Sequence, residues 1–135
     1  MQVCRESLLF ALEFLKKGLS GRSVAHLYLC FENSPGQLSA GLGLADEFPI
    51  VLDSAVFGAA KPEPAIFMEA LARSGAVAGQ TWYVGDIPPD VTGAHSVGMR
   101  AALLTRREVS VSDSRLEPDA WVRDAVEAAR VILAE

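Results

Sequence analysis

The chain has 135 residues, of which half are hydrophobic and 21% are charged, and its formal net charge at pH 7 is −5. This length suits one domain covering residues 1–135, with enough apolar side chains for a sizeable core. The acidic balance disfavours nucleic acid as a partner, two cysteines disfavour a disulfide scaffold, and the lack of a recognisable signal peptide or a roughly 20-residue apolar run predicts a soluble, cytoplasmic protein without membrane contact.

The first part of the chain predicts two helical segments and two strands. Residues 6–17 place leucines on one helical face, and Gly18 suits the end of that helix. Residues 25–31 (AHLYLCF) form the kind of apolar run that a buried strand has, and residues 37–44 predict a short helical stretch. Residues 50–52 (IVL) predict a second short strand.

The middle of the chain continues this alternation. Pro62 suits the start of a helix, whose one-sided apolar stripe ends near Gly75. Residues 81–84 (TWYV) predict a buried interior strand, and we expect a helix from Asp90 to Val97. Residues 101–104 (AALL) predict a further strand.

The last part of the chain predicts an exposed polar loop over residues 105–118 and a closing helix over residues 119–134, in which Trp121 can face the sheet. Strands that alternate with helices are typical of an α/β fold with a parallel sheet, flanking helices and right-handed crossovers.

Two carboxylates and one lysine are placed to meet at one edge of this sheet. Asp86 follows the strand at 81–84, Asp90 opens the next helix, and Lys61 precedes another helix. Open α/β sheets bind ligands at the carboxyl ends of their strands, and carboxylate oxygens with room for water and phosphate suit Mg²⁺. An ammonium beside two carboxylates lowers their mutual repulsion. These residues therefore predict a Mg²⁺ site at Asp86 and Asp90, with Lys61 as the neighbouring cation.

The spacing of these residues resembles the C-terminal half of haloacid dehalogenase (HAD) superfamily hydrolases. The resemblance covers residues 43–105 well and the flanks loosely. The residues that carry it are Gly43-Leu44, Phe48, Ser54, Gly58, Lys61-Pro62, Pro64, Ile66-Phe67, Val84-Gly85-Asp86, Asp90, Gly93-Ala94 and Gly98-Met99.

The resemblance implies a Rossmann-like core and, for most members of the superfamily, a Mg²⁺-dependent phosphatase that acts on small phosphorylated metabolites; some members are dehalogenases. Lys61 matches the third motif of the superfamily, which carries a catalytic lysine. Asp86 and Asp90 match the fourth motif, which binds the metal.

The chain departs from this pattern at the phosphate-binding position. The superfamily has a serine or threonine at the end of the strand corresponding to residues 25–31, often followed by asparagine, whereas this chain has Glu32 and Asn33. A carboxylate would repel phosphate. Ser34 takes the serine position if the strand register slips, so Asn33 and Ser34 are the candidate phosphate-binding residues.

The nucleophile motif is a second departure. HAD hydrolases attack phosphorus with an aspartate of an Asp-x-Asp motif, and the 135 residues contain no such motif and no recognisable cap segment. The nucleophile strand of the superfamily lies between the strands corresponding to residues 25–31 and 81–84. We therefore expect an incomplete core, in which residues 1–5, direct pairing of the two neighbours or another chain fills the central position, and self-association can follow from open strand edges.

Three hypotheses remain open. The first is the C-terminal portion of a HAD-like phosphohydrolase, inactive as this chain alone. The second is a non-catalytic HAD-fold binding or regulatory protein. The third, another open α/β nucleotide-binding domain, is disfavoured because the chain has no glycine-rich phosphate loop.

Overall fold

The computed structural model describes residues 28–31, 50–105 and 117–134, which form strands and helices in alternation. The elements are β1 (Tyr28–Phe31), β2 (Ile50–Asp53), α1 (Ser54–Phe57), α2 (Pro64–Ser74), a 3-10 turn (Ala78–Gln80), β3 (Trp82–Gly85), α3 (Pro88–Ser96), β4 (Arg100–Leu104), β5 (Ala120–Val122) and α4 (Ala125–Leu133). The helices predicted at 6–17 and 37–44 and most of the loop predicted at 105–118 lie outside the described residues.

All the described strands are parallel to their neighbours, as the alternation of strands and helices predicts. β1 pairs with β2, and β3, β4 and β5 pair in that order. Among the described strands, β3 pairs only with β4, along one of its two edges. Leu52 of β2 packs in the same cluster as Ala101 and Leu103 of β4, so the two groups of strands share one hydrophobic core.

Helices cover both faces of the sheet around β4. Ala101 and Leu103 are buried against α2 and α3, whereas Ala102 is buried against α4 on the opposite face, next to Val122 and Ala128. A strand that is buried on both faces has a continuous apolar run instead of an alternating pattern, which explains the sequence of residues 101–104. The fold is therefore an α/β fold with a parallel sheet and flanking helices.

Helix α2 buries one face and ends where the sequence predicts. Ile66, Phe67 and Ala70 are almost fully buried, and burying a side chain such as Phe67 contributes roughly 1.5–3 kcal/mol. Gly75 follows the helix with φ of 67°, a left-handed conformation that glycine adopts at low cost.

The helix begins at Pro64, however, and not at Pro62. The reason is Glu63: its ψ is 128°, and a residue before proline is biased away from helical backbone. Proline at the first helical position loses nothing, because its missing N–H has no acceptor there in any helix.

Helix α3 also begins differently from the prediction. Pro88 and Pro89 are its first two residues, so Asp90 lies at the third helical position instead of opening the helix. Two prolines end the strand, as expected, but they also suit the first turn of a helix, where backbone N–H groups have no helical partners.

The predicted helix over residues 119–134 is wrong in its first turn. Residues 120–122 form β5 beside β4, with Val122 buried and Trp121 45% exposed, so Trp121 does not face the sheet from a helix. The helix starts at Ala125, because the Asp124 carboxylate accepts a hydrogen bond from the Glu127 N–H at 2.8 Å and caps it. A short apolar run does not distinguish a strand from the start of a helix by its periodicity.

Within the described part of the chain, none of the helices combines the length and the apolar character that crossing a bilayer requires.

Candidate active site

A short turn between α1 and α2 holds the backbone at Lys61. The Glu63 N–H donates to the Ala60 carbonyl at 2.8 Å, and the Glu63 carboxylate accepts from the Ala60 N–H at 3.1 Å. Lys61 and Pro62, joined by a cis peptide bond, lie inside this turn. The Lys61 side chain is only 10% exposed, so the turn directs it towards the protein and not into solvent.

The Lys61 ammonium binds Asp90. The distance from Lys61 Nζ to Asp90 Oδ1 is 2.6 Å, and the Asp90 side chain is 2% exposed. An ion pair removed from water in this way has strong charge-assisted hydrogen bonding. The two residues lie 29 positions apart in the sequence, so the contact is a product of the fold.

The second oxygen of Asp90 binds the backbone of the turn after β3. Asp90 Oδ2 accepts hydrogen bonds from the Asp86 N–H at 2.9 Å and from the Ile87 N–H at 3.2 Å. These are N–H groups at the start of α3, and a carboxylate there also suits the positive end of the helix dipole. Asp90 therefore fixes the turn that carries Asp86 while it binds Lys61.

Gly85 makes this arrangement possible. A Cβ atom at Gly85 would overlap the carboxylate and the Cβ of Asp90. The Gly-Asp pair that ends β3 is thus not only a strand terminator, because the missing side chain of Gly85 leaves the space that the Asp90 carboxylate occupies.

Asp86 differs from Asp90 in being exposed. Within residues 50–105 and 117–134, its carboxylate has no hydrogen-bonding or ion-pairing partner. The exposed carboxylate of Asp86 is available to a ligand at the carboxyl end of β3, where α/β sheets bind ligands.

The three residues predicted from the sequence are therefore together at this edge of the sheet, with Asp90 between the other two. Their roles stay predictions. The geometry separates the two aspartates that the sequence grouped as metal ligands: both Asp90 oxygens bind the protein, while Asp86 faces solvent. Asn33, Ser34 and Glu32 lie outside the described residues.

The donor set fits Mg²⁺, which usually keeps several waters and takes one or two protein carboxylates. Asp86 supplies one, and the remaining lone pairs of Asp90 Oδ1 lie beside Lys61. The described residues contain no group of three His, Cys, Asp or Glu side chains of the kind that chelates zinc.

The fold brings one aromatic residue to the site that motif spacing does not indicate. Tyr83 was interpreted only as part of a buried strand, but its ring centroid lies 6.0 Å from Lys61 Nζ. Strand alternation could have identified this residue, because it places Tyr83 on the opposite face of the strand from Trp82 and Val84.

Comparisons with known proteins identify relatives of this chain. The family model described as HAD-hydrolase-like matches residues 58–129. The chain is 40% identical over 96 residues to a phosphoserine phosphatase of Thermus thermophilus, covering 70% of this chain and 37% of that protein. It is 34% identical over 112 residues to haloacid dehalogenase-like hydrolase domain-containing protein 3 of Mus musculus, covering 82% of this chain and 40% of that protein.

Solved structures show the same fold. A 2-haloacid dehalogenase from Pseudomonas syringae pv. Tomato superposes with a TM-score of 0.79 and 32% identity, over 95% of this chain and 52% of that chain. A HAD phosphatase from Thermococcus onnurineus gives a TM-score of 0.74 and 30% identity, over 92% of this chain and 55% of that chain. The chain thus spans less than half the length of these two curated relatives and about half that of these structures.

Proposed function

This chain belongs to the HAD-like hydrolase family, and we propose that it provides the lysine-and-carboxylate part of a Mg²⁺-dependent phosphohydrolase site for a small phosphorylated metabolite. The observation that carries the proposal is the 2.6 Å contact between Lys61 Nζ and Asp90 Oδ1, whose carboxylate also accepts from the backbone N–H of the exposed Asp86. The similarity to a phosphoserine phosphatase favours phosphate-ester chemistry over dehalogenation.

Lys61 is the electrostatic residue of this proposal. Phosphoryl transfer depends mainly on positioning and on charge stabilisation. The ammonium neutralises the attacking carboxylate and the transferring phosphoryl group, and Asp90 holds the ammonium in place. Because Asp90 is buried and binds two backbone N–H groups, the position of Lys61 is fixed before substrate binds.

Asp86 is the direct Mg²⁺ ligand of the proposal, and Asp90 orients the metal site through the backbone of Asp86. When bound, the metal ion supplies Lewis-acid stabilisation of the phosphoryl oxygens. Asp86 is suited to this role because it is exposed at the end of β3 and its backbone is held by Asp90.

The attacking carboxylate of this proposal comes from outside the 135 residues, which contain no Asp-x-Asp motif. We therefore expect this chain alone to have no phosphatase activity. The assay is hydrolysis of p-nitrophenyl phosphate with and without Mg²⁺. Mg²⁺-dependent turnover by the chain, abolished in Asp86→Ala, would show that a nucleophile is present and would overturn this part of the proposal.

Metal binding tests the roles of the aspartates without turnover. Backbone amide signals are followed by NMR while Mg²⁺ is added. We expect the signals of Asp86 and Ile87 to shift, and the shift to disappear in Asp86→Asn. The matched control is Asp124→Asn, which removes an exposed carboxylate at the start of α4 while asparagine still caps that helix. Unchanged Mg²⁺ shifts in Asp86→Asn would exclude Asp86 as the ligand.

A second candidate is a non-catalytic HAD-fold binding or regulatory protein. It is favoured by Glu32, a carboxylate where the superfamily has a phosphate-binding hydroxyl, and by the missing Asp-x-Asp motif. Calorimetric titration with inorganic phosphate in the presence of Mg²⁺ separates the candidates. Phosphate binding that is lost in Lys61→Met supports the phosphohydrolase site, and no phosphate binding favours the non-catalytic protein.

A further inference from the structure

We propose that Tyr83 is a positioning residue for Lys61, holding the Lys61 ammonium over the face of its ring. The contact stands on the structure by itself, whereas its consequence for catalysis rests on the phosphohydrolase function proposed above. Neither the sequence motifs nor the comparisons assign a role to this tyrosine.

A carboxylate and an aromatic ring lie next to the ammonium. The Asp90 carboxylate is 2.6 Å from Lys61 Nζ, and the centroid of the Tyr83 ring is 6.0 Å from the same atom. An aromatic face carries partial negative charge and attracts a cation within about 6 Å. The attraction is stronger when the cation is shielded from water, and the Lys61 side chain is only 10% exposed.

The tyrosine ring is itself held in place. It meets the ring of Phe67 edge to face, with centroids 5.0 Å apart and planes at 60°, an arrangement that aromatic pairs prefer. Phe67 is 2% exposed and lies so close to Gly93 that a Cβ atom there would overlap its ring. The close approach of α2 to α3 thus fixes Phe67, and Phe67 supports Tyr83.

A ring face suits this role because it restrains the ammonium without accepting a conventional hydrogen bond from it. Lysine has three N–H donors on a flexible stem. Asp90 accepts one of them. The ring therefore limits the movement of the stem and leaves donors for an anionic substrate, which a second carboxylate in the same place would not do.

The test uses NMR of the 135-residue chain labelled uniformly with ¹⁵N and ¹³C, in which lysine side-chain signals are few because Lys16, Lys17 and Lys61 are the only lysines. Protons above an aromatic face are shifted upfield by the ring current. We expect the Lys61 ε-methylene and ammonium protons to be shifted upfield relative to those of a free lysine, and the shift to be retained in Tyr83→Phe and lost in Tyr83→Leu. We also expect ammonium hydrogen exchange to accelerate roughly twofold to fivefold in Tyr83→Leu, the range for a modest cation–π contact.

Tyr83→Phe is the conservative rescue, and the amide spectrum of β4 reports whether each variant is folded. A tyrosine that only fills the core would alter stability in Tyr83→Leu without an upfield Lys61 signal in the wild type. If Tyr83→Leu does not fold, nuclear Overhauser contacts between the Lys61 ε-protons and the Tyr83 ring in the wild type decide the question. Absence of both the upfield shift and these contacts overturns the proposal. None of these measurements needs turnover. A failed phosphatase assay would therefore count against the proposed function and not against the contact between Tyr83 and Lys61.

Discussion

Asp90 is a buried carboxylate that binds an ammonium and two backbone N–H groups at once. Taking a carboxylate out of water is costly unless its lone pairs are satisfied. Asp90 accepts three hydrogen bonds, and through them its burial links Lys61 of one loop to the backbone of Asp86 in another. The consequence is that a substitution of Lys61 or Asp90 affects both the stability of the protein and the geometry of the site.

The buried pair can be measured by a double-mutant cycle with Lys61→Met and Asp90→Asn. We expect Asp90→Asn alone to lower the free energy of unfolding by about 3 kcal/mol, because it leaves a largely buried ammonium without its anion. The double variant should cost less than the sum of the single variants by at least about 1 kcal/mol. Urea denaturation provides the measurement.

The matched control for that cycle is the exposed pair of Arg73 and Glu69, which lie four residues apart on α2 at 2.6 Å. Its coupling should be about 0.5 kcal/mol or less, because water and salt screen exposed pairs. Equal coupling energies for the two pairs would show that burial does not strengthen the contact between Lys61 and Asp90.

Gly85 gives a second prediction at the scale of a residue. Gly85→Ala should destabilise the protein by about 1–3 kcal/mol, because the new methyl group overlaps the Asp90 carboxylate and must displace it. Gly79→Ala is the control, since a Cβ atom there meets nothing within 4 Å, and it should change stability by about 0.5 kcal/mol at most. Thermal unfolding of both variants tests the difference; similar losses in both would contradict the overlap.

At the scale of elements, Asp119 joins α3, β4 and β5 at the amino ends of the strands, away from the site. Its Oδ2 atom accepts from the Ala101 N–H at 2.8 Å and lies 2.8 Å from His95 Nε2. Partial burial acts to raise the pKa of Asp119, but the Ala101 N–H and the neighbouring His95 ring outweigh it and hold the pKa below its usual value.

A lowered pKa in the folded state has a defined consequence for stability. The folded protein prefers charged Asp119, so this stabilisation is present above the pKa of the unfolded chain, near 4, and is lost as the pH falls through the lower folded value. We expect the melting temperature of the wild type to exceed that of Asp119→Asn at pH 7, and the difference to shrink in acid.

The control for this pH dependence is His95→Gln, which keeps the Ala101 hydrogen bond to Asp119. The difference in melting temperature between the wild type and His95→Gln should also shrink in acid. At pH 7 it should be smaller than the difference between the wild type and Asp119→Asn. Melting curves measured between about pH 2 and pH 7 provide the data. A constant difference between wild type and Asp119→Asn over this range would show that Asp119 has the same pKa in both states.

At the scale of the whole molecule, the two groups of described strands share one hydrophobic core and do not pair directly with each other. β1 and β2 form one group and β3 to β5 form the other, and Leu52 of β2 lies in one hydrophobic cluster with Ile66, Val91 and Leu103. No described residue pairs with the second edge of β3. Unpaired strand edges are templates for pairing with another chain.

The incomplete core expected from the sequence would leave this edge of β3 open, so we expect the chain to self-associate. Sedimentation velocity should show an average mass that rises with protein concentration. Val84 is 37% exposed on β3, and Val84→Lys should reduce association, because a charged side chain on an exposed strand opposes pairing. Val77→Lys, at another exposed apolar position outside the strands, is the control. A monomer at all concentrations would contradict this expectation.

The sequence by itself determined the class of fold, most of the described elements and the three charged residues of the site. Hydrophobic periodicity and Gly or Pro punctuation are local, so the strands at 50–52 and 101–104 and the helix ending near Gly75 could be predicted without knowledge of their neighbours in space. The spacing of Lys61, Asp86 and Asp90 carried the family resemblance, which the family match and the solved structures confirm.

Only the tertiary structure decided which contacts those residues make. Contacts between α2, β3 and α3 make Asp90 the partner of Lys61, leave Asp86 exposed and bring the Tyr83 ring to the ammonium. The same holds for β5, which is a strand because β4 offers it an edge. Such outcomes depend on distances between segments far apart in the chain, and neither periodicity nor motif spacing contains those distances, because they arise when the elements pack.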